Sequence, residues 1–250
     1  MKKTRKGKHR TPKPKRRLKP KQRSKALVRS SLELAQPKEL AGLSSADQSV
    51  TPTNKLLKAV SALEEGDPYL AFDLCRDVLS ADPSDIKALN LAGVAAFQVG
   101  LAKEALDLFE KAVFLSPHDA EAQTNLGNVL AHLGHKEDAE AAYKHAMEAD
   151  PYYIESFFNF GLLMEADGQP SLAVPAFEKT LEQKPHHALA WQGLGNALKQ
   201  LERLEVAQSA FQAALEQDPN MATARTNLAA VLHELGNFKD AVEQCEQALK

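Results

Sequence analysis

Small residues recur along most of the chain with a period of 34 residues, which divides it into units 52–85, 86–119, 120–153, 154–187, 188–221 and an incomplete 222–250. Position 20 of every unit is alanine, at Ala71, Ala105, Ala139, Ala173, Ala207 and Ala241. Position 8 is always alanine or glycine, at Ala59, Gly93, Gly127, Gly161, Gly195 and Ala229. Because small side chains let two helices approach closely, these columns predict a pair of packed helices in each unit.

Larger residues and helix breakers complete the pattern. Position 24 is aromatic in four units, and these rings are predicted to fill the space beside the small residues: Phe109, Tyr143, Phe177 and Phe211. Position 15 is glycine in all units except at Glu202, which predicts a tight turn because glycine adopts positive φ at little cost. A proline ends the second helix at position 32, at Pro83, Pro117, Pro151, Pro185 and Pro219. Each unit is therefore predicted to be helix, turn, helix.

The fifth unit carries the fullest version of this pattern. Its defining residues are Trp191, Leu194, Gly195, Ala207, Phe211, Ala214 and Pro219. They resemble the W-x2-L-G-x2-Y…A-x3-F…P pattern of the tetratricopeptide repeat family. The resemblance implies an all-α fold, a right-handed α-solenoid of helix-turn-helix units, five full and one partial, over residues 52–250.

Two units depart from the pattern. The first has Lys55 and Lys58 where large apolar residues are expected, which suits a polar capping repeat. In the fourth, Pro175 lies near the start of the second helix, which predicts a late or kinked helix with Ser171 as its N-cap. The sixth unit reaches only its position 29, so the array is expected either to meet a partner there or to continue in a longer protein.

Charge separates the chain into two parts. Residues 1–30 hold 15 of the 31 lysines and arginines and no acid, whereas the other 220 residues hold 16 bases and 33 acids. Residues 1–25 are predicted to be a disordered basic arm, since they contain almost no large apolar side chain, and residues 26–51 a linker. The arm suits an anionic partner, either nucleic acid, lipid or an acidic protein. It also suits a nuclear localisation signal in a eukaryote, or a tail that rests on the acidic body of its own chain.

The two cysteines, Cys75 and Cys245, both fall at position 24 and are predicted to be buried core residues. Two cysteines are too few for a disulfide framework, which favours a reducing compartment. No apolar run is long enough for a membrane span, and no signal-peptide core follows the basic N-terminus. A cytoplasmic protein is therefore expected, with a nuclear location open if the source is eukaryotic.

The common signatures of catalysis are absent from the sequence. There is no phosphate-binding loop, dinucleotide fingerprint, nucleophile elbow, H-E-x-x-H or paired-cysteine motif. His132 and His135 are the nearest approach to a metal pair, but they flank a turn with no third ligand nearby in sequence. The chain is therefore predicted to be no enzyme and to carry no metal and no cofactor.

The family resemblance implies that the first helices line a concave groove, chiefly through positions 2, 5, 9, 12 and 13, with position 6 beside them. The residues predicted to contact a ligand there are Asn125, Asn128, Phe158, Asn159, Gln192, Asn196 and Asn227. A side-chain amide both donates and accepts, so a ladder of asparagines is suited to binding the backbone of an extended peptide. This arrangement resembles the asparagine ladder of O-GlcNAc-transferase repeats. The alternative is that the amides serve helix packing.

The favoured function is a non-catalytic scaffold that binds a protein or peptide segment in the groove. Position 5 carries no basic residue, which disfavours the carboxylate-clamp mode known in this family. One alternative is that the chain is the substrate-recognition segment of a repeat-bearing glycosyltransferase similar to O-GlcNAc transferase. A second is binding of nucleic acid or another anionic surface through the basic arm.

Overall fold

A computed structural model describes residues 51–248, which form twelve helices and contain no strand. The helices are α1 Pro52–Glu65, α2 Pro68–Ala81, α3 Ile86–Gln98, α4 Ala102–Leu115, α5 Ala120–Leu133, α6 Lys136–Ala149, α7 Ile154–Asp167, α8 Pro170–Gln183, α9 Ala188–Gln200, α10 Leu204–Gln217, α11 Ala222–Glu234 and α12 Phe238–Ala248. The prediction of an all-α array of helix pairs is confirmed. The basic arm 1–25 and the linker, apart from Thr51, lie outside the described residues.

Local sequence signals begin and end these helices. Side chains of Thr51, Asp67, Asp85 and Asp119 accept hydrogen bonds from backbone N–H groups in the first turns of α1, α2, α3 and α5. The spaced prolines follow the second helix of each pair by two residues, where the chain no longer needs a helical N–H donor. Helix boundaries in this chain are therefore set largely by residues at fixed positions in the repeat.

The turns within the helix pairs use positive φ. Five are glycines, Gly66, Gly100, Gly134, Gly168 and Gly236, with φ between 75° and 90°. The remaining turn, in the fifth pair, has Glu202 with a φ of 59°. No other non-glycine residue in the described range has positive φ. A side chain in this left-handed region collides with its own backbone, so Glu202 holds a strained conformation that the other units avoid.

We expect Glu202→Gly to stabilise the protein. Relief of the left-handed conformation is worth about 1–2 kcal/mol, and the greater freedom of glycine in the unfolded chain reduces the net gain to about 0.5–1 kcal/mol. Urea unfolding of the full chain measures the difference. Gly134→Glu, which introduces the same strain into the third unit, is the matched control and should lower stability; equal stability of both variants and the wild type would contradict this account.

The core of each pair forms where the aromatic ring at position 24 meets the small residue at position 8. A Cβ atom placed on Gly93, Gly127, Gly161 or Gly195 would lie 2.6–2.8 Å from a ring atom of Phe109, Tyr143, Phe177 or Phe211, respectively. All six position-20 alanines are buried beside these contacts. In the two end units position 8 is Ala59 or Ala229 and position 24 is Cys75 or Cys245. Alanine, which has a methyl group that glycine lacks, thus occurs at position 8 where the residue at position 24 is the small cysteine.

Helix packing builds a continuous inner layer from the first helices. Each helix packs against its neighbours in sequence, and each first helix also contacts the first helix of the next pair: α1 with α3, α3 with α5, α5 with α7, α7 with α9 and α9 with α11. Successive second helices make no comparable contact within the described range. The closer spacing of the first helices places them on the inner side of a curved solenoid.

The prediction for the fourth pair is wrong in its detail. Helix α8 begins at Pro170, with Gln169 as its N-cap, rather than after Ser171. A proline is tolerated at the first helical position because that N–H has no partner within the helix. Pro175 then lies inside α8. Because proline has no backbone N–H, the helix has one hydrogen-bond donor fewer at this position.

The prediction that both cysteines are core residues holds for Cys75 but is wrong for Cys245, which is exposed. The position-24 side chain in an inner unit is covered by the first helix of the following pair, as the short distance from the Phe177 ring to Gly193 illustrates. No described helix packs over α12 in this way, so Cys245 keeps contact with solvent.

The two thiols should therefore differ in reactivity. Burial, with a smaller effect from Asp85, raises the pKa of Cys75 to about 12, so its reactive thiolate is scarce at any pH below that value. At pH 8 we expect a maleimide reagent to label Cys245 rapidly and Cys75 only on unfolding. Peptide mapping by mass spectrometry distinguishes the two sites, and fast labelling of Cys75 in the folded protein would contradict its placement.

Candidate functional site

The structure divides the seven predicted groove residues into two groups by burial. Asn125, Asn128, Phe158 and Asn159, on α5 and α7, are buried. The other three, on α9 and α11, are half-buried and reach the surface of the inner layer: Gln192, Asn196 and Asn227. Only the second group has side-chain surface ready to contact a ligand in this conformation.

Two of the buried amides, Asn128 on α5 and Asn159 on α7, are hydrogen-bonded to each other. Asn128 Oδ1 accepts hydrogen bonds from Tyr143 Oη at 2.8 Å and from Asn159 Nδ2 at 2.9 Å. The Tyr143 hydroxyl thereby gains a partner in a fully buried position, where an unpaired donor would be costly. These contacts join α5 to both α6 and α7, so the two asparagines bind neighbouring helices together.

The same geometry recurs between α9 and α11. Asn227 Nδ2 donates to Asn196 Oδ1 at 2.8 Å, and Thr223 Oγ1 donates to Gln192 Oε1 at 2.7 Å. In every one of these pairs the two residues lie 31 positions apart in sequence, on successive first helices. We call each pair of facing residues with this spacing a rung. Rungs join position 9 to position 6 of the next unit, and position 5 to position 2.

Rungs could have been found in the sequence, but only with the correct spacing. An amide at position 9 followed 31 residues later by another at position 6 occurs at Asn128 with Asn159 and at Asn196 with Asn227. A search along one column at intervals of 34 residues treats these amides as separate members of a ladder. The offset of three residues means that adjacent first helices pack with a displacement along their axes, so that equivalent positions do not lie side by side.

Phe158 is also committed to packing. Its ring lies 6.1 Å from the Phe177 ring and 4.6 Å from the imidazole of His187, centroid to centroid. His187 Nδ1 in turn accepts a hydrogen bond from the backbone N–H of Ala190 and caps α9. Phe158 therefore supports the junction between the fourth and fifth units from beneath the groove surface.

The accessible part of the inner layer lies on α9 and α11. Leu189 is 46% exposed at position 2, beside half-buried Gln192. Thr223 and Thr226 on α11 are exposed. This surface combines an apolar side chain with hydroxyl and amide groups, which is the composition of a site that takes an extended peptide. Leu189, Thr223 and Thr226 were not among the residues predicted from the sequence.

Nothing in the described range is arranged as a metal centre, since no group of three or more His, Cys, Asp and Glu side chains comes together between residues 51 and 248. Within the same range, none of the helices has the length and apolar character needed to cross a membrane.

Comparison with known proteins agrees with the repeat geometry. MamA matches over 69% of this chain and 94% of its own, with 27% identity and a TM-score of 0.57. TTC0263 of Thermus thermophilus matches over 73% of this chain and 99% of its own, with 22% identity and a TM-score of 0.60. YrrB, described as a TPR protein with an unusual peptide-binding site, matches over 70% and 90%, with 24% identity and a TM-score of 0.61.

The comparison with a family profile, rather than with single sequences, establishes the relationship. No curated protein sequence matches the chain. The sequence profile of the tetratricopeptide repeat matches residues 90–154, 158–207 and 193–250, which is well over half of the chain. The chain therefore belongs to the tetratricopeptide repeat family.

Proposed function

We propose that this protein is a non-catalytic scaffold that binds an extended segment of a partner protein along the inner surface of its first helices. The observation that carries the proposal is the half-buried row of hydrogen-bonding side chains on α9 and α11, next to exposed Leu189. We place the protein in the cytoplasm, or in the nucleus of a eukaryote. The glycosyltransferase alternative and the arm-led alternative stay predictions, because the described residues test neither.

The chemistry of the row suits a peptide backbone. Gln192 and Asn196 each carry an amide with both donor and acceptor atoms, and the hydroxyl groups of Thr223 and Thr226 add further partners. The Gln192–Thr223 rung lies at the surface, so a ligand can exchange its single hydrogen bond for bonds of its own. Leu189 supplies an apolar contact that excludes water from one side of the ligand.

Within the original set of seven, we assign direct ligand contact to Gln192, Asn196 and Asn227. Asn125, Asn128, Phe158 and Asn159 are assigned a supporting role, because their burial leaves little surface for a ligand. The supporting residues fix the spacing of the first helices, and that spacing determines whether successive contacts match the repeat of an extended chain.

Selection of peptides tests the proposal. We expect the full chain to enrich extended peptides from a random display library, and Gln192→Ala combined with Thr223→Ala to weaken their binding by at least tenfold, about 1.4 kcal/mol. Gln212→Ala combined with Ser209→Ala removes similar groups from exposed positions on α10 and is the matched control. Titration by fluorescence anisotropy measures both. Equal affinities of the two double variants for the selected peptides would contradict the proposal.

A further inference from the structure

A row of three hydrogen-bonded side chains crosses the accessible part of the inner layer. Asn227 Nδ2 on α11 donates to Asn196 Oδ1 on α9 at 2.8 Å, and Asn196 Nδ2 donates to Glu165 Oε1 on α7 at 3.5 Å. Glu165 and Asn196 are also 31 positions apart, so their contact is a further rung, from position 12 to position 9 of the next unit. We call these three half-buried residues the amide row.

The carboxylate gives the amide row a direction. An ionised carboxylate only accepts hydrogen bonds, whereas a side-chain amide has donors on its nitrogen and an acceptor on its oxygen. Asn196 therefore turns its nitrogen toward Glu165 and its oxygen toward Asn227, and Asn227 offers its nitrogen to that oxygen. A rotated Asn196 amide would place its oxygen against the carboxylate, so that two acceptors faced each other.

The buried rung between α5 and α7 is oriented in a different way. Asn128 Oδ1 accepts a hydrogen bond from the hydroxyl group of Tyr143, which is the position-24 residue of the same unit. In the unit that contains Asn196, position 24 is Phe211, which has no hydroxyl group. The second helix of that unit therefore has no equivalent donor for Asn196, and the carboxylate of Glu165 orients the amide from the preceding first helix.

The direction of the amide row determines what Asn227 offers to a ligand. Because the Asn227 nitrogen is bonded to Asn196, the oxygen occupies the other corner of the amide group. This oxygen accepts no hydrogen bond from any residue between 51 and 248. The row thus ends on α11 in an open acceptor, and in a reversed row the same corner would carry N–H donors instead.

We propose that Glu165 is a positioning residue of the ligand site and that the amide row it orients accepts a backbone N–H of the bound segment at Asn227 Oδ1. The inference rests on the proposed function, because it assigns roles to residues of the same inner surface. It also narrows the class of ligand, since the ligand residue opposite Asn227 needs a backbone N–H and proline has none. Glu165 acts through Asn196 rather than by contact with the ligand.

Proton–nitrogen NMR of the asparagine side chains tests the direction of the row in the ligand-free full chain. Glutamine both donates and accepts, so Glu165→Gln keeps the size of the side chain but no longer enforces one direction. We expect the side-chain amide resonances of Asn196 and Asn227 to move in this variant, although Asn227 lies two first helices away from the substituted residue.

Glu234→Gln is the matched control for this measurement. Glu234 is an exposed carboxylate on α11 that pairs with Lys199 at 3.4 Å and makes no hydrogen bond to the amide row among the described residues. Its substitution should leave the Asn227 resonances in place. Asn227 resonances that stay fixed in Glu165→Gln, or that move equally in both variants, overturn the inference.

A peptide from the display selection supplies the second test. Each backbone N–H of the peptide is replaced in turn by an ester oxygen, which removes one donor with little change in shape. At one position we expect the ester to bind the wild-type chain at least tenfold more weakly than the peptide does. Asn227→Ala should abolish this difference, Glu165→Gln should reduce it to threefold or less, and Glu234→Gln should preserve it.

The two tests keep failure of this inference distinct from failure of the proposed function. If the wild type and Glu165→Gln discriminate equally between peptide and ester, the positioning role is wrong while the binding of peptides stands. A loss of stability alone would weaken peptide and ester together, so it cannot produce the expected change in discrimination. If display selects no peptide, the proposed function fails and the ligand role of Glu165 with it, and the NMR comparison still decides the direction of the row.

Discussion

Phe177→Ala is expected to lower the free energy of unfolding by about 3–5 kcal/mol, the range for removal of a fully buried aromatic side chain. The Phe177 ring lies between two glycines, Gly161 on α7 of its own unit and Gly193 on α9 of the next. Loss of the ring therefore opens a cavity at the junction of two units as well as within one. In a repeat array stability depends on such junctions, so unfolding should also lose cooperativity.

Phe114→Ala is the matched control for this prediction. Phe114 is a phenylalanine on a second helix, α4, but it is 83% exposed. Its removal should change stability by no more than about 0.5 kcal/mol. Urea denaturation followed by circular dichroism measures both variants. A loss below about 1.5 kcal/mol for Phe177→Ala would mean that the units pack less tightly than the structure indicates.

The second large effect concerns the buried amide network. Asn128→Ala removes the acceptor for both Tyr143 Oη and Asn159 Nδ2, so two buried hydrogen bonds are lost. Loss of a buried hydrogen-bond partner costs about 1–3 kcal/mol, so we expect the variant to lose about 2–4 kcal/mol of stability. If the asparagine ladder instead served only ligand binding, the variant would lose affinity and keep its stability.

Asn196→Ala tests the same side chain at a more exposed rung. Asn196 is half-buried and accepts from Asn227, whose amide can turn to water when the acceptor is removed. We expect a loss of about 1 kcal/mol or less, together with weaker peptide binding. Thermal unfolding and anisotropy titration on both variants separate the two roles. Similar stability losses at Asn128 and Asn196 would contradict the division of the groove residues by burial.

The repeat period, the helix pairs and their contacts follow from the sequence because they depend on residue size at fixed positions. A glycine at position 8 and an aromatic ring at position 24 can be assigned to one contact from the sequence alone, since the ring needs the space that a glycine leaves. The strained turn at Glu202 is equally visible as the one break in a glycine column. The fold was thus largely predictable from local, repeated chemistry.

The candidate site was less predictable because it depends on the offset between helices. The column of asparagines pointed to the inner layer, but their exposure differs from one unit to the next. Asn159 is buried, whereas Asn227, in the same column, is half-buried. The 31-residue register that pairs these amides comes from the packing of one helix on the next, which a single repeat does not encode.

The burial of Cys245 was mispredicted for a related reason. Column position alone assigned it to the core with Cys75, but burial of position 24 also requires the first helix of a following unit. In a stacked array the environment of a residue therefore depends on its unit as well as on its position within the unit.

Site-specific photo-cross-linking tests the central claim most directly, that ligands bind the inner surface of the first helices. Leu189 on α9 and Val206 on α10 belong to the same unit and are both 46% exposed, but one lies on a first helix and the other on a second. With p-benzoylphenylalanine at each position in turn, we expect a selected peptide to cross-link at position 189 and not at position 206. Cross-linking at position 206 alone would place the ligand on the outer surface and contradict the account.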